Sequence, residues 1–195
     1  MKLSVVIPVF NESSTIEHLI EMVRDPIDLI YSWHMRGWGG RYTKDPRVGL
    51  LTYESDHGIA PWFNLFIEGE YNELCPMDRI IHLIEGNTIS TYEKYQKLST
   101  NKKKQILWIF FEDFVTNTEK NIASIENFLH VYRTNRTSKQ LKKERCPRVI
   151  NDEDREKKYE TIKSNSSKES FKKLENLYHY YNLIKENIIN KNSDD

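Results

Sequence analysis

Cysteine is scarce in this 195-residue sequence, and its scarcity excludes two kinds of architecture. Cys75 and Cys146 lie far apart and outside any C-x-x-C pattern, whereas disulfide frameworks and structural zinc sites need several cysteines at short spacings. We therefore expect neither, and a reducing, cytoplasmic location is predicted. The sequence also lacks the H-E-x-x-H spacing of zinc proteases and the G-x-S-x-G turn of serine hydrolases, so it identifies no catalytic residue and no metal ligand.

Long apolar runs and an excess of one charge are missing as well. The longest apolar runs, residues 5–10 and 106–111, have the length of strands and fall far short of the roughly 20 residues that cross a bilayer. Lys plus Arg and Asp plus Glu both total 29, so the formal net charge is zero and a broad nucleic-acid-binding surface is not expected. The sequence thus predicts no membrane span and no nucleic-acid partner, and it does not specify an oligomeric state.

What the chain does have is an α/β beginning. Residues 3–10 form an apolar run typical of a buried strand. Ser14 and Glu17 then match a capping box, and the following apolar residues recur at helical spacing as far as Val23, which predicts a short helix.

A second helix is predicted from Pro26, with Asp25 as its N-cap and an end near Gly37. Residues 37–75 show little periodicity and are expected to be irregular.

The rest of the chain is predicted to be mostly helical. We expect a helix over residues 76–98, a buried strand over 106–111, a helix capped by Asn117, and two charged helices over 152–163 and 167–190. The predicted fold class is α/β, with an incomplete, P-loop-like open parallel sheet of few strands and a helix-rich C-terminal half.

The stretch "RDPIDLIYS" carries the clearest chemistry. Arg24 precedes a predicted helix start and Ser32 lies about two turns inside that helix. A helix N-terminus, the planar donor fork of an arginine and a hydroxyl together suit a phosphate dianion. The alternative is that Arg24 pairs with Asp25 or Asp28 to fasten the helix end, while Ser32 faces solvent.

The same residues resemble the sulfotransferases that use 3′-phosphoadenosine 5′-phosphosulfate. In that family an Arg at a strand end, a Pro two residues later and a Ser eight residues after the Arg hold the 3′-phosphate of the donor, and Arg24, Pro26 and Ser32 match these positions. Downstream, "ILWIFFEDFVTNTEKNIASIENFL" resembles the family's later strand, its aromatic-Glu-Asp turn and the following helix. The resemblance covers about residues 24–160 and implies a nucleotide donor together with a separate acceptor.

Two further parts of the donor site are implied only by this resemblance. Phe111 takes the position where the family often has an aromatic residue near the adenine, although an aromatic residue that ends a buried strand often belongs to the core. The basic run resembles the late loop that closes over the nucleotide, or it is an ordinary solvated group of charges. It contains Lys142, Lys143, Arg145 and Arg148.

The start of the chain resembles a different family. "KLSVVIPVFNESSTIEHLIEMV" is similar to the first strand and helix of a family-two glycosyltransferase, but the Asp-Asp-Gly expected after the next strand is missing. The only Asp-x-Asp, formed by Asp152 and Asp154, begins a polar helix, where surface charge is the ordinary explanation. The predicted division is therefore a glycosyltransferase-like segment at 1–23, a partial sulfotransferase-like domain at 24–190 and a disordered tail at 191–195.

Three interpretations of function remain open. The first is sulfuryl transfer from 3′-phosphoadenosine 5′-phosphosulfate to an unknown hydroxyl or amine acceptor. The sequence lacks the family's Gly-rich loop with a following Lys and Ser or Thr, so we expect little transfer from a chain that is truncated, fused or started at the wrong position. The second is a nucleotide-binding remnant without catalysis, and the third is a glycosyltransferase fragment.

Overall fold

The computed structural model describes residues 18–40, 52–55, 58–61 and 73–191. In chain order the elements are β1 Leu19–Val23, α1 Pro26–Met35, β2 Thr52–Ser55, β3 Gly58–Pro61, α2 Pro76–Gln96, α3 Thr100–Lys104, β4 Ile106–Phe110, α4 Phe111–Thr116, α5 Thr118–Leu129, α6 Asn135–Lys143, α7 Asp152–Asn165 and α8 Lys168–Lys191. They form two compact units. The first takes the described residues up to Arg24 together with Leu98–Ile150, and the second takes those from Asp25 to Lys97 and from Asn151 onward.

The first unit is built on two parallel strands. β1 pairs with β4 in a register that runs from Leu19 beside Ile106 to Val23 beside Phe110. α4 and α5 pack against β4. Among the described residues of this unit, the buried apolar side chains come from β4, α4 and α5, namely Ile109, Val115 and Ile122. The predicted strand over 106–111 is confirmed except for its last residue, because Phe111 already opens α4. A parallel pair followed by helices confirms the predicted α/β class.

β1 corrects the predicted helix that was to end at Val23. Residues 19–23 are extended and pair along the whole of β4. Their apolar spacing also suits a strand, since Glu21 is the only polar residue of the five, and short apolar runs do not separate the two structures by periodicity. Pairing with β4, which is far away in the sequence, makes this segment a strand.

A carboxylate fixes the turn between α4 and α5. Asn117 occupies the predicted N-cap position of α5, but its side chain makes no capping hydrogen bond. Instead, the side-chain amide of Asn117 donates to one carboxylate oxygen of Asp113 and that of Asn121 donates to the other, both at 2.7 Å. Asp113 of the aromatic-Glu-Asp turn therefore has a structural role, since it ties α4 to the first turn of α5.

Four described helices of the second unit pack together. α2 packs against α8, and α1 packs against α2, α7 and α8. Its core is one continuous apolar cluster contributed by all four helices, comprising Ile27, Ile30, Met77, Ile80, Ile81, Ile84, Ile162, Leu174 and Leu177. α1, α2 and α8 each contribute apolar residues at helical spacing, whereas α7 contributes only Ile162 to the cluster. The helices predicted near 26–37, 76–98, 152–163 and 167–190 are confirmed to within a few residues.

The segment predicted to be irregular contains a hairpin. β2 and β3 pair antiparallel, from Thr52 beside Pro61 to Ser55 beside Gly58. Strands of four residues are too short for an alternating pattern to stand out in the sequence, which explains the wrong prediction. The predicted strand over 3–10, the capping box at Ser14 and the tail after residue 191 lie outside the described residues. Of the helices in the described ranges, none is both long and apolar enough to cross a membrane.

Candidate functional site

The carboxyl ends of the two parallel strands bring together residues that are far apart in the sequence. Arg24 follows β1 and Phe111 follows β4, immediately after the paired residues Val23 and Phe110. Because the strands are parallel, both residues leave the sheet at the same edge. In open α/β sheets this carboxyl edge is where ligands bind.

Two guanidinium groups lie over the ring of Phe111. The central guanidinium carbon of Arg24 lies 4.6 Å from the ring centroid, and that of Arg148 lies 5.4 Å from it. Both distances are within the roughly 6 Å over which a cation is attracted to an aromatic face. Three of the residues predicted from the sequence are therefore adjacent, and we call Arg24, Phe111 and Arg148 the arginine cluster.

Arg148 is held in the cluster through its own backbone. Its N–H donates to the carbonyl of Val115 at 2.8 Å, and Val115 is buried in α4, the helix that Phe111 begins. The segment after α6 is thereby attached one helical turn from the Phe111 ring, while the Arg148 side chain remains exposed. An exposed guanidinium on an anchored backbone is accessible to a ligand.

The arginine cluster concentrates positive charge. Two arginines that share one ring repel each other, and an aromatic quadrupole offsets only part of that repulsion. An anion with two or more negative charges would be attracted to both guanidinium groups, and a planar guanidinium can donate paired hydrogen bonds to such an anion. The geometry therefore suits phosphate or sulfate.

The remaining basic candidates lie beside α6. Lys143 is the last residue of that helix, and Arg145 follows with φ of 56°, in the left-handed region. Both side chains are exposed, and the ring contacts that define the arginine cluster do not include them. The structure thus separates Arg148 from the other two basic residues by its packing on Phe111.

The N-terminus of α1 is occupied by its own cap. The N–H groups of Ile27 and Asp28, in the first turn of the helix, donate to one carboxylate oxygen of Asp25 at 3.0 and 3.4 Å. They are the donors that the sequence predicts for a phosphate, so a ligand would have to compete with Asp25. Ser32, the other predicted phosphate ligand, is half-buried on α1 in the second unit.

The two aspartates of "RDPIDLIYS" have cationic partners on α7. Arg155 lies 3.0 Å from an Asp25 oxygen, and Lys158 lies 2.6 Å from an Asp28 oxygen. Nothing in the local sequence indicated these pairs, because the partners are separated by a long stretch of chain. α1 is fastened at its beginning by charges from α7.

Tyr178 completes the part-buried network around Asp25, and nothing in the sequence indicated this role. Its hydroxyl donates to the Asp25 carboxylate, with oxygen separations of 2.9 and 3.0 Å, and accepts from Arg155 at 2.6 Å. Burial, and then the neighbouring carboxylate, raise the pKa of Tyr178 above its ordinary value. Tyr178 lies on α8, which the sequence predicts as a helix without indicating a role for this residue.

Within the described ranges, no group of three or more His, Cys, Asp or Glu side chains is arranged to hold a metal ion. The Asp-x-Asp motif lies in the first turn of α7, and the side chain of Asn151 caps that turn by accepting from Glu153 N–H at 3.0 Å.

A parallel strand pair with arginines at its carboxyl edge defines an α/β protein suited to an anionic ligand. A family model described as a sulfotransferase domain matches residues 12–192, which is nearly the whole chain. The chain belongs to the sulfotransferase family. The match extends at both ends beyond the residues 24–160 over which motifs carry the resemblance, and it includes residues 12–23. No curated protein matches the chain, and neither does any solved structure.

Proposed function

We propose that the arginine cluster binds a phosphate group of 3′-phosphoadenosine 5′-phosphosulfate and that the protein transfers the donor's sulfuryl group to a hydroxyl or amine acceptor. The observation that supports this proposal is the convergence of Arg24 and Arg148 on the ring of Phe111 at the carboxyl edge of the sheet. Membership of the sulfotransferase family supports the reaction class.

The chemistry of the donor explains why two arginines would be useful. A phosphate monoester such as the 3′-phosphate carries close to two negative charges at pH 7, since its second pKa is about 6. A sulfate ester carries one. Charge-assisted hydrogen bonds contribute about 1.5–3 kcal/mol each, and two arginine forks favour the more highly charged group. The cluster should therefore distinguish nucleotides by their 3′-phosphate.

A second function, nucleotide binding without transfer, is favoured by the composition of the arginine cluster. Two arginines and a phenyl ring contain no group that exchanges a proton near neutral pH, so the cluster itself supplies neither general acid nor general base. Sulfuryl transfer also needs donors at the developing charge, and each such donor contributes about 10²–10³ in rate. Transfer would require residues beyond the cluster, whereas binding would not. Ser32, Lys143 and Arg145 stay predictions of the family resemblance.

Titration calorimetry with two nucleotides tests the binding step. Adenosine 3′,5′-bisphosphate should bind measurably more tightly than adenosine 5′-monophosphate, which lacks the 3′-phosphate. Arg24→Lys keeps the charge but loses the planar fork, so affinity for the bisphosphate should fall about tenfold while the melting temperature changes little. Arg133→Lys is the matched control, because Arg133 pairs with Glu119 and Glu126 on α5 in the same unit.

Two results would overturn the binding proposal: equal affinity for the two nucleotides, or an Arg24→Lys affinity no lower than that of the control. The reaction is then tested separately by incubating the chain with sulfur-labelled donor and a set of hydroxyl and amine acceptors. Labelled product would establish transfer, and its absence alongside tight 3′-phosphate binding would support the binding-only function.

A further inference from the structure

Phe111, which the family resemblance predicts to lie near the adenine of the donor, has two arginine side chains over its ring. If Phe111 stacked on adenine, its accessible ring surface would have to be open to the base. The ring is instead half-buried, and two guanidinium groups lie over it. A base that stacked on the surface covered by these groups would have to displace an arginine.

Phe111 is also rigidly placed, which suits it to hold other side chains. It is the first residue of α4 and follows β4, which is paired with β1 over its full length. α4 itself is tied to α5 through the Asp113 carboxylate and its two amide donors. The ring therefore presents a fixed surface between the end of a strand and the start of a helix.

The arginines arrive at this surface from two separate segments. Arg24 comes directly from β1, whereas Arg148 comes from the exposed segment after α6. Each arginine side chain is long and flexible, and each loses side-chain entropy when it is fixed for a ligand. Stacking on one ring pays part of that ordering cost before the ligand binds, and it brings the two positive charges close together.

We infer that Phe111 is a positioning residue that holds Arg24 and Arg148 for an anionic group, and that it does not serve as the stacking surface for adenine. This inference rests on the proposed function, because it concerns the same phosphate site. It implies that Phe111 contributes to binding of the phosphate end of a ligand whether or not a base is attached.

Two ligands separate the roles. Adenosine 3′,5′-bisphosphate carries the base, and 1-O-methylribose 3,5-bisphosphate keeps both phosphates without it. Phe111→Leu removes the ring but keeps an apolar side chain, and it should weaken both ligands by the same factor, about three- to tenfold. Phe111→Tyr keeps an aromatic face and should restore both affinities. Phe128→Leu is the matched control, since Phe128 is another half-buried phenylalanine of the same unit, packed edge-on against His18.

Each result has one meaning. An equal loss for the two ligands with rescue by tyrosine supports the positioning role. A loss confined to the adenine-bearing ligand overturns it and makes Phe111 the base platform, and an unchanged affinity for both ligands also overturns it. If the wild-type chain binds neither ligand, the phosphate site itself is refuted and the proposed function fails with it. Circular dichroism melting, compared with Phe128→Leu, excludes unfolding as the cause of a loss.

Discussion

Replacing Asp25 by alanine should destabilise the second unit more than any neighbouring surface change. Asp25 is 6% exposed. It caps the first N–H groups of α1, accepts from the Tyr178 hydroxyl and pairs with Arg155 at 3.0 Å. One carboxylate thus satisfies donors from three helices, and Asp25→Ala removes all of these bonds at once.

The magnitude follows from these contacts. Loss of an N-cap side chain costs about 1 kcal/mol, and loss of hydrogen bonds to a charged group costs about 1.5–3 kcal/mol. The Arg155 side chain is 43% exposed, so water replaces much of its lost pairing and that pair contributes toward the low end. We therefore expect Asp25→Ala to lower the free energy of unfolding by about 3 kcal/mol.

Urea unfolding at pH 7, followed by the helical circular dichroism signal, measures this loss. Asp28→Ala is the matched control on the same helix, because Asp28 pairs with Lys158 but does not cap α1, and the loss of this single part-buried pair should cost about 1.5 kcal/mol. Asp25→Asn keeps a good capping residue and removes the charge, so it should fall between the two. An Asp28→Ala loss equal to that of Asp25→Ala would refute the assignment of Asp25 as the centre of the network.

Two further predictions concern the same unit. A Cβ added to Gly39 would lie 1.8 Å from the Pro76 carbonyl oxygen, whereas nothing lies within 4 Å of one added to Gly40. In urea unfolding, Gly39→Ala should therefore lower the free energy of unfolding by about 2–3 kcal/mol, and Gly40→Ala should change it little. Equal losses for the two variants would contradict the close approach of Gly39 to Pro76. Because the pKa of Tyr178 is raised, the folded state retains its proton after the unfolded chain loses it, and stability should fall as the pH rises above about 10. Tyr178→Phe should show a shallower fall in unfolding free energy over that range, and identical slopes would count against the raised pKa.

Local sequence signals determined much of the helical structure. Asp25 followed by Pro26 marks the start of α1 because a capping side chain and a fixed φ angle act within one turn. The extents of α2, α7 and α8 are likewise predicted from the sequence to within a few residues. The strand β4 is recognisable as a short apolar run between polar segments.

Tertiary structure decided the features that depend on distant partners. Residues 19–23 became a strand because β4 offered a parallel partner, although their spacing also fits a helix. The motifs indicated Arg24, Phe111 and Arg148 separately, but only the strand register and the hydrogen bond from Arg148 to Val115 placed them on one ring. A sequence pattern records interactions between residues a few positions apart, whereas contacts across a hundred residues depend on how the elements pack.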